Sequence, residues 1–272
     1  MLNLPACASA LQQKGITTLL YDPRSTGSSG GTPRNEIDPP QAVSDMSDAL
    51  SHLLTLPSVS PSSLSGFFGI SFGGAVALTA ASVDPRARLV VAVAPLTDMD
   101  FSSPAQRTRV LRKCGRDKAS RAMGNEPFTV PMIDAQGKNP VGFGRGLDGE
   151  RYSRIVGAGR EVAEGHVNRV TLMTYYKLAM WSPWPLWRKL AEAGSDGKDA
   201  SRAAMFVIPE KDVMSLPELQ REYFEQMEER EGFKKKKLEV EGAEHEGVLG
   251  DEYLDKVIGS VDDFIKELAQ PS

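Results

Sequence analysis

Cysteine and histidine are the scarce residues of this 272-residue chain, two of the first and three of the second. Two cysteines, Cys7 and Cys114, are too few for a disulfide framework or a zinc site. Long hydrophobic runs are missing as well. No stretch approaches the roughly 18 consecutive apolar residues of a membrane-spanning helix. Positive charge is not in excess: 32 Lys and Arg stand against 36 Asp and Glu, a net charge of −4. A mildly acidic chain without a basic stripe is a poor nucleic-acid binder. The opening MLNLPACASALQQKG has neither a positive n-region nor a long apolar h-region. It reads as an uncleaved N-terminus, and the expected compartment is the cytoplasm. No residue pattern marks a metal, flavin or nicotinamide site, so no cofactor is expected.

What is present is an ordinary globular composition, 40% hydrophobic and 25% charged. The length suits one large domain or one domain carrying an insertion. Helical and strand-like patterns alternate along the chain. Leu2–Lys14 is apolar at helical spacing and closes on Gly15. Ile16–Tyr21 is a short β-branched and apolar run, expected as a buried strand. A Gly/Ser-rich loop follows from Asp22 to Gly31. Gln41–Leu56 reads as a helix, Leu64–Ile70 as a strand, Phe72–Ser82 as a small-residue helix and Arg88–Pro95 as a strand. The rhythm breaks from about Met99 to Arg202, where Gly, Arg and Pro are frequent and helical pieces recur near Ala105–Lys113 and His166–Met180. It returns with a strand at Ala203–Ile208, a helix at Pro217–Arg230, a strand at Lys236–Val240 and a helix at Leu254–Leu268. Such alternation implies an α/β fold: a mostly parallel sheet with helices on both faces. The organisation expected is a core of residues 1–98 and 203–272 with a helical cap insertion at 99–202.

Gly69-Ile70-Ser71-Phe72-Gly73 fits G-x-S-x-G, and its setting matters more than the pattern. An apolar strand ends at Ile70 and an apolar helix begins at Phe72. In so tight a strand-to-helix turn, glycines at 69 and 73 leave room where side chains would collide, and Gly74 lets the helix pack closely. Ser71 would project from the C-terminal edge of the sheet at a helix N-terminus, where N–H groups favour a developing negative charge. The alternative is a Gly/Ser N-cap without chemistry. A serine needs a base. His52 lies mid-helix at an exposed position. His166 lies in the insertion and reads as surface. His245 follows the last strand, at the sheet edge where ligands of open α/β sheets bind. It is the candidate base. Asp212 follows the preceding strand and is the candidate orienting acid, with Glu210 in reserve; Asp212 could also merely cap the following turn. The chain order Ser, Asp, His is the one this fold uses.

These residues resemble the α/β-hydrolases. Tyr21-Asp22-Pro23-Arg24-Ser25-Thr26-Gly27-Ser28-Ser29 is similar to that family's D-x-R-G-x-G-x-S loop, with Ser25 at the usual first glycine. The run LLYDPRSTGSSGGTPRNEIDPP, the GISFGG turn and the FVIPEKD segment look more narrowly like fungal hydrolases of the polyketide-transferase and thioesterase type. That resemblance implies an α/β-hydrolase fold and a Ser71, Asp212, His245 triad with Phe72 N–H as oxyanion donor. It also implies release or transfer of a polyketide acyl chain in secondary-metabolite biosynthesis. A broad carboxylesterase and a catalytically weak binding protein are the alternatives. The family's sheet has strands before the first helix seen here, one of them between the positions of Ile16–Tyr21 and Leu64–Ile70. Two outcomes are therefore expected: those two runs pair directly, or Met1 is not the true start, as in a truncated gene model or degraded paralogue. In the cap, Trp181, Trp184 and Trp187, with Tyr175 and Tyr176 nearby, could line a hydrophobic acyl site or simply pack the cap. Arg107, Arg109, Arg112, Lys113 and Arg116 could meet an acyl-carrier domain of a polyketide synthase or form a solvated helix face.

Overall fold

The computed structural model describes residues 2–60, 63–159, 166–191, 202–228 and 230–269. In chain order its elements are α1 (Leu4–Gln13), α2 (Pro39–Leu53), β1 (Gly66–Ile70), α3 (Phe72–Val83), β2 (Leu89–Val93), α4 (Pro104–Ala122), β3 (Thr129–Val130), α5 (Gly149–Gly159), β4 (Val170–Thr171), α6 (Met173–Ala179), α7 (Trp184–Trp187), β5 (Arg202–Pro209), α8 (Pro217–Glu225), β6 (Phe233–Val240) and α9 (Asp251–Ala269). They fall into two compact units. One comprises Leu2–Tyr21, Val43–Thr97 and Ser182–Ser272; the other comprises Asp22–Ala42 and Asp98–Trp181. The WPLW helix α7 thus belongs to the first unit, together with the main sheet.

The first unit holds a four-stranded sheet in the order β1-β2-β5-β6, parallel throughout. One row of the register runs Ile70, Val93, Val207, Leu238. Both central strands are fully buried, which is why LVVAV and RAAMFVIP are continuous apolar runs rather than alternating ones. Side chains alternate between faces. Leu89, Val91, Val93, Ala203, Met205 and Val207 meet Cys7 and Leu11 of α1 and Val257, Ile258, Val261 and Phe264 of α9. The opposite face carries Phe206, whose ring meets Phe224 of α8 at 5.5 Å. Helices therefore cover both faces, as the alternation implies.

Arg202, 5% exposed, donates to the carbonyls of Ala81 and Asp84 at the end of α3 and so satisfies groups that a helix C-terminus leaves open. At the sheet's edge, β6 carries four lysines. Lys237 pairs with Glu225 at 2.6 Å and Lys236 with Glu267 at 2.8 Å. Charged side chains on an edge strand discourage further pairing. The strand begins at Phe233, earlier than its lysines suggest from sequence.

One strand expectation fails. Ile16–Tyr21 forms no strand, and β1 pairs only with β2 among the described residues. The direct pairing of Ile16–Tyr21 with Leu64–Ile70 is therefore not found. A β-branched run has strand propensity, but a strand exists only through the hydrogen bonds of a neighbour. Leu20 and Tyr21 are left 50% and 37% exposed.

The second unit has its own core of Phe101, Val110, Cys114, Val141, Val170, Leu172, Met173 and Tyr175. The N-cap hydroxyl of Ser103 accepts from Gln106 N–H at the start of α4, where Pro104 can occupy the first turn. A short antiparallel pair joins β3 and β4, and β3 and helix α5 occupy stretches where the sequence shows no clear period. The long helical run expected at His166–Met180 is split: β4 precedes α6.

Candidate active site

Four parallel strands end at one edge of the sheet, and the loops beyond them carry the candidate residues. Ser71 is the first residue after β1. Its backbone sits at φ 58°, ψ −124°, a conformation that L-residues rarely adopt. Neighbouring hydrogen bonds hold it there. Ser71 N–H donates to Val93 O at 2.9 Å, while Ser71 O accepts from Gly74, Ala75 and Leu96 N–H at 2.9, 3.1 and 3.1 Å. The turn is so tight that a Cβ at position 69 would lie 2.1 Å from Gly73 O. A Cβ on Gly74 would meet Pro95 Cα at 3.1 Å, so the helix packs closely where expected. The expectation for Gly73 is corrected, since a Cβ there meets nothing within 4 Å. At position 73 it is the carbonyl that crowds Gly69.

Asp212 sits in the loop after β5 and is 2% exposed. One carboxylate oxygen, Oδ1, accepts Met214 and Ser215 N–H at 2.9 and 2.8 Å. The other, Oδ2, accepts Gln220 Nε2 at 3.1 Å and lies 2.8 Å from His245 Nδ1. Three other donors already meet this carboxylate, so its remaining acceptor site suits a fourth from His245 Nδ1–H. In that pairing His245 is the tautomer with the proton on Nδ1. Its Nε2, left as an acceptor, lies 2.7 Å from Ser71 Oγ. The imidazole is 1% exposed and held at both nitrogens. Ser215 Oγ donates to Pro95 O at 2.6 Å and lies 3.1 Å from Thr97 Oγ1, which ties the Asp212 loop to the loop after β2.

Such an arrangement can move a proton from a hydroxyl to an imidazole whose positive charge a buried carboxylate stabilises. Phe72 is the first residue of α3, at the helix end whose dipole favours negative charge. Among the described residues, no group of His, Cys, Asp and Glu could hold a metal ion. No described helix is long and apolar enough to cross a membrane.

The remaining candidates lie elsewhere. Glu210 is exposed and accepts Gly242 N–H at 2.7 Å, so it ties two loops and does not meet His245. His52 is exposed near the end of α2. His166, in the second unit, bonds Tyr152 Oη at 2.6 Å, and burial lowers its pKa. Tyr175 is 3% exposed in the second unit's core, its hydroxyl 3.3 Å from Asn139 Nδ2. Trp181 also belongs to that unit. Trp184 meets Tyr223 in a tilted ring contact at 4.3 Å in the first unit. Trp187 is buried and donates from Nε1 to Thr79 Oγ1 at 2.9 Å. Sequence reasoning missed Gln220 and Ser215. One signal for Gln220 was available: it shares the buried stripe of α8 with Pro217 and Phe224, at a position where an apolar residue is the norm.

The model of the alpha/beta hydrolase family matches residues 3–258. A thiohydrolase of Eupenicillium brefeldianum is 40% identical over 222 residues, covering 82% of this chain and 68% of that protein. A polyketide transferase of Penicillium crustosum is 38% identical over 262 residues, covering 94% of this chain and 80% of that one. Among solved structures, the alpha/beta hydrolase GrgF of Penicillium sp. sh18 superposes with a TM-score of 0.80 at 33% identity, covering 97% of this chain and 84% of that one. With a parallel sheet whose first elbow presents Ser71 to His245, and a family match over nearly its whole length, the chain belongs to the alpha/beta hydrolase family.

Proposed function

We propose that the protein is a serine-nucleophile acyl hydrolase or acyltransferase that takes a polyketide-type acyl chain from a thioester or ester. The observation that carries this reading is the continuous hydrogen-bonded line from Ser71 Oγ through His245 to Asp212, at 2.7 and 2.8 Å. The names of relatives support the substrate class: thiohydrolase, acyltransferase and polyketide transferase.

Ser71 Oγ attacks the acyl carbonyl while His245 Nε2 takes its proton. The carbonyl oxygen becomes an oxyanion beside Phe72 N–H. Collapse breaks the bond to the thiol or alcohol, which leaves with the proton from His245. The acyl-serine is then attacked by water or by a second nucleophile, again deprotonated by His245, and Ser71 is regenerated. Throughout, Asp212 holds the imidazole and stabilises its charged form. Hydrolysis and transfer share every residue named here and differ only in the acceptor. A carrier domain of a polyketide synthase is the donor we assign. Within residues 99–202, the stretch up to Trp181 is assigned as the cap. Trp181, Trp184 and Tyr175 are the residues whose replacement tests acyl contact, through KM for long-chain donors.

The test is turnover of a long-chain acyl pantetheine thioester by the parent, Ser71→Ala and His245→Ala proteins. The expected result is turnover by the parent and loss of at least 10³-fold in each variant. Undiminished turnover by folded His245→Ala would overturn the mechanism. A preference for short simple esters over acyl thioesters would point instead to a broad carboxylesterase.

A further inference from the structure

We propose that Gln220 is a positioning residue for Asp212, an inference that rests on the Ser71, His245, Asp212 reading above. Gln220 lies in α8, outside the three loops that carry those residues, and is 0% exposed. Its Nε2 donates to Asp212 Oδ2 at 3.1 Å and to Ser215 O at 2.6 Å. Both partners are acceptors without a proton to offer, so the amide has one workable orientation: NH2 toward Asp212 and Ser215, oxygen away. In that orientation Oε1 has no partner among the described residues, although it is buried. A buried, unsatisfied carbonyl destabilises a fold, and an apolar residue of the same size would avoid it.

The gain lies at Asp212. Its two oxygens have different keepers. Oδ1 is pinned by backbone N–H groups of its own loop, Met214 and Ser215. Oδ2, the oxygen that faces His245 Nδ1, has Gln220 as its only other donor among the described residues. Gln220 also grips Ser215 O, whose own hydroxyl is bonded to Pro95 O, so one side chain fixes the carboxylate plane against the loop after β2. Without that donor, the carboxylate is anchored chiefly through Oδ1 and can tilt, moving Oδ2 away from His245 Nδ1. The imidazole then loses a fixed partner, and proton transfer from Ser71 slows without any change in the groups that touch an acyl chain.

Two substitutions test this in the full chain, with an acyl pantetheine thioester as substrate. Gln220→Met keeps the volume and removes both the donor and the orphaned oxygen. It should lower kcat about tenfold or more per folded molecule and leave KM within about twofold, whatever the lost bond to Ser215 O does to the melting temperature. A purely structural Gln220 predicts a lower melting temperature with kcat unchanged per folded molecule. Gln220→Glu keeps the shape. As a neutral carboxyl it can still donate to Asp212; once ionised it cannot, and it sets a second negative charge beside the first. Its activity should therefore fall at alkaline pH where the parent stays on its plateau. The other charged groups on the two loops, Glu210, Lys211, Glu244 and Glu246, are common to all variants and cannot produce that difference. A Gln220→Glu profile that follows the parent's would overturn the proposal. If Ser71→Ala and His245→Ala retain activity, the triad reading fails instead, whatever Gln220 does.

Discussion

A single backbone angle governs the candidate nucleophile. Ser71 at φ 58° is stable only because the strand, the helix and the loop after β2 all bond to its backbone, and because residue 69 has no side chain. Gly69→Ala should be among the most disruptive small changes available, since its methyl would lie 2.1 Å from Gly73 O. We expect destabilisation of about 3 kcal/mol or more in urea unfolding, at the upper end of overpacking costs. Gly73→Ala, with open space at its Cβ, should cost about 1 kcal/mol or less. The two cysteines are quiet for a different reason. Burial pushes the Cys7 thiol up to about 12 and the Cys114 thiol up to about 11. Iodoacetamide at pH 8 should label neither in the folded protein and both in urea; labelling of the native state would contradict their burial. At this scale the hydrogen-bonded line of Ser71, His245 and Asp212 was legible because an imidazole base is a rare residue type, with only three histidines to choose among. Gln220 and Ser215 were not, because amides and hydroxyls are common and their role depends on where the chain folds back.

Elements were legible where a pattern and a neighbour agreed. β2 and β5 are read correctly as strands, and their continuous apolar runs reflect a parallel sheet with both faces covered. Ile16–Tyr21 has the same local character and forms no strand, since pairing is a property of two segments. Helix α3 was legible from its small residues, but its link to α7 was not. Trp187 Nε1–H donates to Thr79 Oγ1, and Thr79 in turn donates to Ala75 O. Thr79→Val leaves the indole N–H buried without that acceptor. The expected cost is about 1–3 kcal/mol, whereas Trp187→Phe leaves Thr79 satisfied and loses chiefly packing. Equilibrium unfolding of the two variants and their double mutant would show a coupling of about 1 kcal/mol if the bond matters. Additivity would show that it does not.

At the scale of the whole molecule, one contribution to acid stability comes from Glu36 in the second unit. Burial raises the pKa of Glu36, but hydrogen bonds from Lys177 and Thr171 and the charges of Lys177 and Arg121 outweigh it and hold the carboxyl below its ordinary value of 4.5. Lys177 Nζ lies 2.7 Å from Glu36 Oε1, and Arg121 lies 3.0 Å from Oε2. A carboxyl whose folded value is depressed stabilises the fold above its unfolded value and loses that contribution as pH falls through the folded one. That unit should therefore weaken below about pH 4.5, with less acid dependence in Glu36→Gln, as read by melting temperature against pH. Equal acid sensitivity in parent and variant would remove Glu36 from the account.

The central claim concerns Ser71, and intact-mass labelling with a fluorophosphonate probe tests it most directly. A single adduct on the parent protein, absent from Ser71→Ala and from His245→Ala, is the predicted result: an activated serine dependent on its imidazole. An unlabelled parent that is folded by circular dichroism, or an adduct that persists in Ser71→Ala, would contradict it.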